Sequence, residues 1–343
     1  MLVGYSGGQD STCLLHALSL LRPAPRVLAV HVDHALRAES ATDALRVQAL
    51  AQSMGVECQV TRVDVAAYRA AHGGSVQAAA RAARYHALAG AVEAHQARGL
   101  LVAHTADDQA ETVLLNLARG ASLAGLAGMR LDEVLETRQL GPLPTGLRAS
   151  GPLRLARPLL RVPRTITGSY CAELGVSLVE DTSNQSRAYT RNRVRLDLLP
   201  ALERFNPAIR TVLARLADVA AEEIDLVEAM VAELHTRLAL DALPGVVRYE
   251  LGAFRQQPRA LQRRLVRHAL RLLLGHLVDV PAAPIDDALD LLSSGRPGQA
   301  YHLPYGVELC VDHASFSLHR QGRAMQRQPR RGPNTRGPAQ TRV

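Results

Sequence analysis

The opening of the chain narrows the fold more than any other stretch. Met1-Leu2-Val3-Gly4-Tyr5 is a short apolar run, Ser6-Gly7-Gly8-Gln9-Asp10-Ser11 follows, and Thr12-Cys13-Leu14-Leu15-His16-Ala17-Leu18 carries apolar residues at helical spacing. That order predicts strand, glycine turn, helix. Such a junction directs unpaired backbone N–H groups and the positive end of the helix dipole at one point, where a phosphate can sit. Gly7 and Gly8 allow positive φ and close approach, while Ser6 and Ser11 add hydroxyl donors. The stretch has neither Gly-Lys-Ser/Thr nor G-x-G-x-x-G, which excludes two other phosphate loops. A plain glycine turn with Ser or Asp as the helix cap is the simpler alternative. Six matched residues in this setting favour the phosphate.

Residues 1–130 continue the alternation. Val27–Val32 reads as a strand, Glu39–Met54 as a helix ended at Gly55, and Val56–Val63 as a strand. Ser75–Ala97 reads as a long helix with Tyr85 and Leu88 inward and Arg81 and Arg84 on its flank, Leu100–Ala103 as a strand, and Asp107–Arg119 as a helix closed by Gly120. The expected fold is α/β, a doubly wound and mostly parallel sheet of the Rossmann-like kind, followed by a smaller, mainly helical domain. Ligands of such sheets bind at the carboxyl ends of the strands. The glycine turn, His31-Val32-Asp33-His34 and His104-Thr105-Ala106-Asp107-Asp108 all follow apolar strands and should converge on one crevice.

Further along, Gly141–Pro152 reads as an exposed loop and Pro163 opens a helix that Gly175 ends. Tyr189–Leu202 begins an arginine-rich helical stretch, and Pro207–Leu240 is a long amphipathic helix. The expected division is a catalytic domain over 1–205, the start of a connecting helix over 206–217, and a second domain over 218–319. A basic, disordered tail over 320–343 follows. The second domain includes a helix at Ala260–Leu277 and a β segment at Tyr301–Val311. Arg263, Arg267 and Arg271 fall four apart and form one basic stripe, a candidate RNA contact, with a solvated helix face as the equal alternative.

Composition removes several classes. No run approaches the ~20 apolar residues of a membrane span, and no charged segment followed by an apolar one opens the chain. A cytoplasmic protein without a membrane partner is expected. Cys13, Cys58, Cys171 and Cys310 lie far apart without a C-x-x-C, so cysteine-based zinc, iron–sulfur and disulfide frameworks have no support. All 40 basic residues are arginine, which removes lysine nucleophiles. Seven of the arginines lie in the acid-free tail, and subtracting them from the net charge of +8 leaves +1 on residues 1–319. Local arginine clusters therefore matter more than global charge.

The Ser6–Ser11 stretch resembles SGGxDS, the pyrophosphate loop of the N-type ATP pyrophosphatases, which cleave ATP between its α and β phosphates. That chemistry needs a nest for the leaving pyrophosphate, a metal to offset charge and a nucleophile held in line. Ser6, Gly7, Gly8, Gln9, Asp10 and Ser11 supply the nest. Magnesium takes one or two carboxylates plus phosphate oxygens and water, and Asp10 is one candidate ligand. Asp108 and Glu111, three apart at a helix start, are a second acidic pair, although Asp108-x-x-Glu111 also fits a capping box. The segment around His31 and Asp33 is expected to line the adenine pocket with backbone groups. Arg187, Arg191, Arg193 and Arg195, with Tyr189 and Asn192 among them, suit phosphate, carboxylate and base contacts.

Taken together, SGGQDS at 6–11, HVDHALR at 31–37, ARAARYHAL at 80–88, AHTADDQAETVLLNLARGASLAGLAGM at 103–129, RPLL at 157–160 and EDTSNQSRAYTRNRVRLDLLPAL at 180–202 resemble the tRNA(Ile)-lysidine synthetase family in order and spacing. The match runs over about residues 2–205, and residues 218–319 resemble the family's substrate-binding domain more loosely. Two departures stand out: only five residues precede Ser6, and Gln77 stands where a Glu is expected. The family's further C-terminal domain is also not evident. The resemblance implies an ATP- and Mg2+-dependent ligase that adenylates C2 of the wobble cytidine in a CAU-anticodon isoleucine tRNA. The amine of free L-lysine then displaces AMP. It implies ATP and magnesium at Ser6, Gly7, Gly8, Asp10 and Ser11, lysine or metal at Asp108 and Glu111, and the lysine carboxylate or reacting nucleotide at Arg191 and Arg193, with Asn192 and Arg195 beside them. A tRNA-thiolating enzyme on the same scaffold and a non-catalytic tRNA-binding protein are the rivals. The oligomeric state stays open, with a homodimer among the alternatives.

Overall fold

The computed structural model describes residues 1–23, 25–36, 39–136, 140–147, 151–179, 186–243, 245–275 and 280–320. Arg37, the Glu180–Asn184 segment and the arginine tail beyond Arg320 fall outside these. The chain divides into two compact units, Met1–Asp225 and Leu226–Val343.

In the first unit, β1 (Leu2–Gly4) leads to α1 (Gln9–Ser19), β2 (Leu28–Asp33) to α2 (Ser40–Ser53), and β3 (Glu57–Arg62) to α3 (Val65–His72) and α4 (Val76–Ala94). Then β4 (Leu100–Leu101) leads to α5 (Ala106–Ala118), followed by α6 (Leu123–Leu126), β5 (Asp132–Leu135), β6 (Leu153–Ala156) and α7 (Arg164–Leu174). Next come α8 (Thr190–Arg193), a π-helical turn at Val194–Leu198, α9 (Leu199–Glu203) and the 30-residue α10 (Ile209–Leu238). The sheet order is β3-β2-β1-β4-β6-β5, parallel except for the edge strand β5. Strand alternation explains the two cores. Leu2, Val30, Leu100 and Leu155 pack with Tyr85 and Leu88 of α4 on one face, while Val3, Ala29, Leu14, Leu15 and Val47 fill the other. This is the doubly wound sheet expected from the alternating pattern.

The topology places the site. From β1 the chain winds outward through β2 and β3, then returns to the other side of β1 for β4. The order reverses between β1 and β4, and a crevice opens at the carboxyl ends of strands where such a switch occurs.

The second unit contains the C-terminal end of α10, then β7 (Ala239–Leu243), β8 (Val246–Glu250), α11 (Leu251–Arg255), α12 (Arg259–Leu274), α13 (Ala282–Ser294), β9 (Ala300–Leu303), β10 (Val307–Val311) and β11 (Ser315–Arg320). Its strands form one antiparallel sheet in the order β7-β8-β11-β10-β9. Tyr249, Phe254, Leu265, Leu289, Leu309, Phe316 and Leu318 make its core. The helices expected from periodicity are present, and the β segment expected at Tyr301–Val311 is two strands of a larger sheet.

Candidate active site

Three helices start at the carboxyl ends of three adjacent strands: α1 after β1, α5 after β4 and α7 after β6. Each first turn leaves backbone N–H groups without intrahelical partners, so the crevice is a place of positive potential.

The glycine turn is built for one shape. Gly7 has φ +75°, and a Cβ there would sit 2.8 Å from Cγ2 of Val47. Its carbonyl accepts a hydrogen bond from the Val179 N–H at 3.0 Å, which ties the turn to the chain after α7. Gly8 differs: it caps α1 with φ −78°, and a Cβ would meet only Ser6 Oγ, at 3.4 Å. The Ser6 N–H donates to Ser11 Oγ at 3.2 Å, and Ser11 Oγ donates to the Gly8 carbonyl at 3.0 Å. The two serines therefore brace the turn as well as bordering it. Gln9 faces elsewhere. Its side-chain amide donates to the Arg164 carbonyl at 2.7 Å and to Thr167 Oγ1 at 2.9 Å, locking α1 against α7.

Asp10, Asp108 and Glu111 meet around arginines. Arg164, the first residue of α7, places Nε 3.0 Å from Asp10 Oδ2, Nη2 3.1 Å from Asp108 Oδ1 and Nη1 3.8 Å from Glu111 Oε1. Thr167 Oγ1 donates to the other Asp10 oxygen. Arg191 and Arg195 reach Asp108 and Glu111 as well. Arg191 Nε lies 2.8 Å from Glu111 Oε2, and Arg195 Nε lies 2.6 Å from Oε1. Both also reach Asp108 Oδ1, at 3.3 and 3.4 Å. Glu111 is fully buried.

Asp108 does two jobs. Its Oδ2 accepts from the Thr105 N–H and hydroxyl at 2.9 and 3.0 Å, so the capping box runs from Thr105 to Asp108 rather than from Asp108 to Glu111. Its Oδ1 is left for the guanidinium groups. Burial alone would raise its pKa, but the cations Arg164 and Arg191 outweigh burial and hold it down at about 2. This carboxylate stays ionised. The same acids act on Arg164, whose pKa they raise against the opposing effect of burial.

Asp107, next in sequence, turns the other way. Its Oδ2 accepts from the backbone N–H of Arg164 at 2.7 Å, and its Oδ1 pairs with Arg210 at 2.9 Å. The tip of α5 thus caps α7 and sets where Arg164 stands. Behind the acids, His104 Nδ1 accepts from Arg157 Nε at 3.1 Å, which leaves the ring proton on Nε2. Burial pushes the His104 pKa down to about 3, so the ring is neutral. Arg157 is itself buried and pairs with Glu133 at 2.6 Å. Arg84 approaches from α4 with its guanidinium carbon 5.3 Å from the Tyr85 ring centroid. Burial and the nearby Arg81 and Arg191 lower its pKa, and among the described residues no carboxylate pairs with it.

Some expected residues lie outside the cluster. Asn192 is buried and donates to the Ser186 carbonyl at 2.8 Å, a loop contact. Arg193 is exposed, two positions from Arg191 and so on another helix face, with Thr190 Oγ1 as its contact at 3.3 Å. The inward pair is Arg191 and Arg195, one turn apart. His31 Nδ1 contacts the Tyr5 carbonyl at 3.0 Å, and Asp33 Oδ1 accepts from the Ala35 N–H at 2.9 Å. Both side chains are engaged locally at the end of β2. The Arg263, Arg267 and Arg271 stripe is engaged within the second unit. Arg263 pairs with Asp286 at 2.6 Å, Arg267 donates to the Val280 carbonyl at 2.9 Å and Arg271 pairs with Glu228 at 3.3 Å. It is a seam between helices before it is an open basic face.

Arg164, Arg84 and His104 belong to the cluster without standing out in the sequence as site residues. Pro163 before Arg164 was the available signal, since it marks a helix start and so a residue aimed at the crevice.

Glycine nest, acidic helix tip and inward arginines at a topological switch define a class, and the sequence comparison agrees with it. Residues 1–202 match the model of the PP-loop domain, an ATP-binding family. Three similar proteins carry the assignment further. The tRNA(Ile)-lysidine synthase of Thermosynechococcus vestitus is 35% identical over 91% of this chain and 83% of its own. That of Gloeobacter violaceus is 37% identical over 80% and 78%, and that of Dehalococcoides mccartyi is 34% identical over 93% and 66%. The chain belongs to the tRNA(Ile)-lysidine synthase family. It spans just under two thirds of the Dehalococcoides protein. Among the described residues, no helix is long and apolar enough to cross a membrane.

Proposed function

We propose that the protein joins free L-lysine to C2 of the wobble cytidine of a CAU-anticodon isoleucine tRNA, at the expense of ATP. The observation that carries this reading is the single guanidinium of Arg164 spanning Asp10 beside the glycine turn and Asp108 and Glu111 on α5. A phosphate nest and a cation-binding acid pair are thereby held a few ångströms apart, which a reaction between a nucleotide and an amine requires.

In the first step the cytidine O2 attacks the α-phosphorus of ATP and pyrophosphate leaves. The N–H groups of Gly7, Gly8 and the first turn of α1, with the Ser6 and Ser11 hydroxyls, bind the departing β and γ phosphates. Arg84, a partly buried cation that no carboxylate pairs with among the described residues, offsets charge on the α-phosphate. Asp10, partly open at 17% exposure beside the turn, would hold magnesium together with the phosphates, and the ion would offset their charge.

In the second step the lysine side-chain amine, in its neutral form, attacks C2, the C2–O2 bond breaks, AMP departs with the oxygen and the proton shed by the nitrogen passes to solvent. Asp108 and Glu111 hold the lysine's other amino group as the ammonium, and Arg191 and Arg195 hold its carboxylate. A carboxylate with a pKa near 2 gives no proton to a leaving group at neutral pH, so Asp108 acts as a fixed negative charge. No nucleophile is required of the enzyme, because the attacking amine belongs to the substrate.

The test supplies purified protein, ATP, labelled lysine and the isoleucine tRNA. Lysine-labelled tRNA with AMP and pyrophosphate in equal amounts is the expected result. Sulfur entering the tRNA while lysine does not would favour thiolation. Tight tRNA binding with no turnover, unchanged by Asp10→Asn, would favour a non-catalytic binder.

A further inference from the structure

The second unit carries a cluster that the ligase reaction does not use. On β10, Val307, Leu309 and Val311 point into the core, so Glu308 and Cys310 project from the other face of the sheet. The register brings His319 of β11 directly opposite Glu308, and His302 of β9 opposite the same residue on its other side. His319 Nε2 lies 3.2 Å from Glu308 Oε2, and one ligand atom from each of Glu308, Cys310 and His319 falls within 4.8 Å of the others.

We propose that Glu308, Cys310 and His319 form a binding site for one divalent transition-metal ion of the zinc class. Three observations carry it. The donor set is one carboxylate oxygen, one sulfur and one imidazole nitrogen, the mixture that a borderline-soft cation takes and magnesium or calcium does not. The spacing is close to that of a tetrahedral site, where bonds of ~2.0–2.3 Å put ligand atoms roughly 3.3–3.8 Å apart. Small rotamer changes on two adjacent strands cover the difference. Finally, the imidazole is mostly buried, at 13% exposure, and already turns Nε2 to Glu308 at 3.2 Å, so a cation held between them is shielded from water.

The site brings anionic groups together in a partly buried place. Asp312 follows two residues after Cys310 on the same chain segment. His302 or a water would fill the fourth position. Since β10 and β11 form a hairpin within the second unit's sheet, the ion would staple it.

Cobalt(II) alone, titrated into full-length protein dialysed against a chelator, is a direct probe. The expected result is a sulfur-to-cobalt charge-transfer band with the visible absorption of a tetrahedral ion, saturating at one ion per chain and bleached by zinc. Cys310→Ser should abolish the charge-transfer band, and Glu308→Gln or His319→Gln should weaken zinc binding at least about a hundredfold, beyond the 10–100-fold typical of outer-shell changes. Zinc should also raise the Tm of the native protein and not of Cys310→Ser. Circular dichroism and nucleotide binding show whether each variant is folded. No band at one equivalent in the native protein, or a band that persists in folded Cys310→Ser, overturns the site.

Discussion

Arg164 Nε stands 3.0 Å from Asp10 Oδ2, joining the start of α7 to the first turn of α1. The same guanidinium reaches the acids of α5, so in the proposed reading one side chain sets the relative placement of nucleotide and amine. Replacing it should cost more in rate than in stability. Arg164→Ala is expected to lower kcat/KM by at least about a hundredfold, ~2.7 kcal/mol of transition-state stabilisation. The loss of folding stability should be about 1–3 kcal/mol, below the ~3–5 of a fully buried pair because the group is 27% exposed. Arg164→Lys should recover stability better than rate, since an ammonium cannot span three carboxylates. Pyrophosphate release and thermal melts measure the two.

The two glycines of the turn should separate folding from binding. At Gly7 the positive φ and the 2.8 Å approach to Val47 make any side chain destabilising, so Gly7→Ala should lose roughly 1–3 kcal/mol. At Gly8 the backbone is ordinary and the added methyl meets only Ser6 Oγ, at 3.4 Å. Gly8→Ala should melt near the native temperature and still bind ATP at least about tenfold more weakly, because the methyl intrudes where the phosphate approaches. Nucleotide titration beside a thermal melt checks both.

His104 sets a pH dependence of stability. Its folded pKa is depressed to about 3, against about 6.5 unfolded. Between those values the unfolded chain binds a proton that the native chain does not. Stability is therefore full above pH 6.5 and falls as pH drops towards 3, by at most ~1.4 kcal/mol per pH unit from this group. Asp108, depressed to about 2, adds a second loss below about pH 4. Urea melts from pH 7 to 4 should show the slope, and folded His104→Asn should flatten it.

Arg193 and Arg195 should behave oppositely although both were expected at the substrate. Arg195 makes a two-point pair with Glu111, at 2.6 and 3.1 Å, while Arg193 is exposed. Arg195→Gln should raise the KM for lysine at least about tenfold, as loss of a charge-assisted fork does. Arg193→Gln should change it by about twofold or less. Lysine-dependent AMP formation measures each KM.

Of the seven arginines from Arg320 onward, six lie beyond it, in a stretch without an acid. Deleting residues 321–343 should weaken tRNA binding and flatten its salt dependence, since each phosphate neutralised adds ~0.7–0.9 to the slope. An unchanged slope would leave the tail without a role in binding RNA. Arg263→Ala should act mainly through its pair with Asp286, with about 0.5 kcal/mol lost from the second unit and little change in tRNA affinity.

The sequence made the first unit legible because its signals are local. Apolar runs ending at Gly4, Asp33 and Ala103 lie next to glycine or helix-start chemistry, and a parallel sheet sends all three to one edge. Asp108 and Glu111, at the start of α5 after β4, were legible as an acidic pair for the same reason, and Arg191 from the crowding of arginines over 187–195. Arg164 was not, because its role depends on α7 docking on α1 through Gln9 and Thr167, a contact some 155 residues apart in the chain. Arg195 rather than Arg193 follows from helical spacing once Arg191 is known to point inward. In the second unit, short strands such as Val246–Glu250 alternate too briefly to announce a sheet, and the arginine stripe on α12 finds its partners on α10 and α13. Tertiary pairing of that kind leaves no mark on a single segment.

The most direct measurement is a crystal structure of the protein with magnesium and an ATP analogue whose α–β bridge cannot be cleaved. The β and γ phosphates should lie within hydrogen-bonding distance of the Gly7 and Gly8 N–H groups and of Ser6 and Ser11, with the α-phosphorus facing Arg84 and the Asp108–Glu111 pair. A nucleotide bound away from the Ser6–Ser11 turn, or with its α-phosphorus directed away from those acids, would contradict the account.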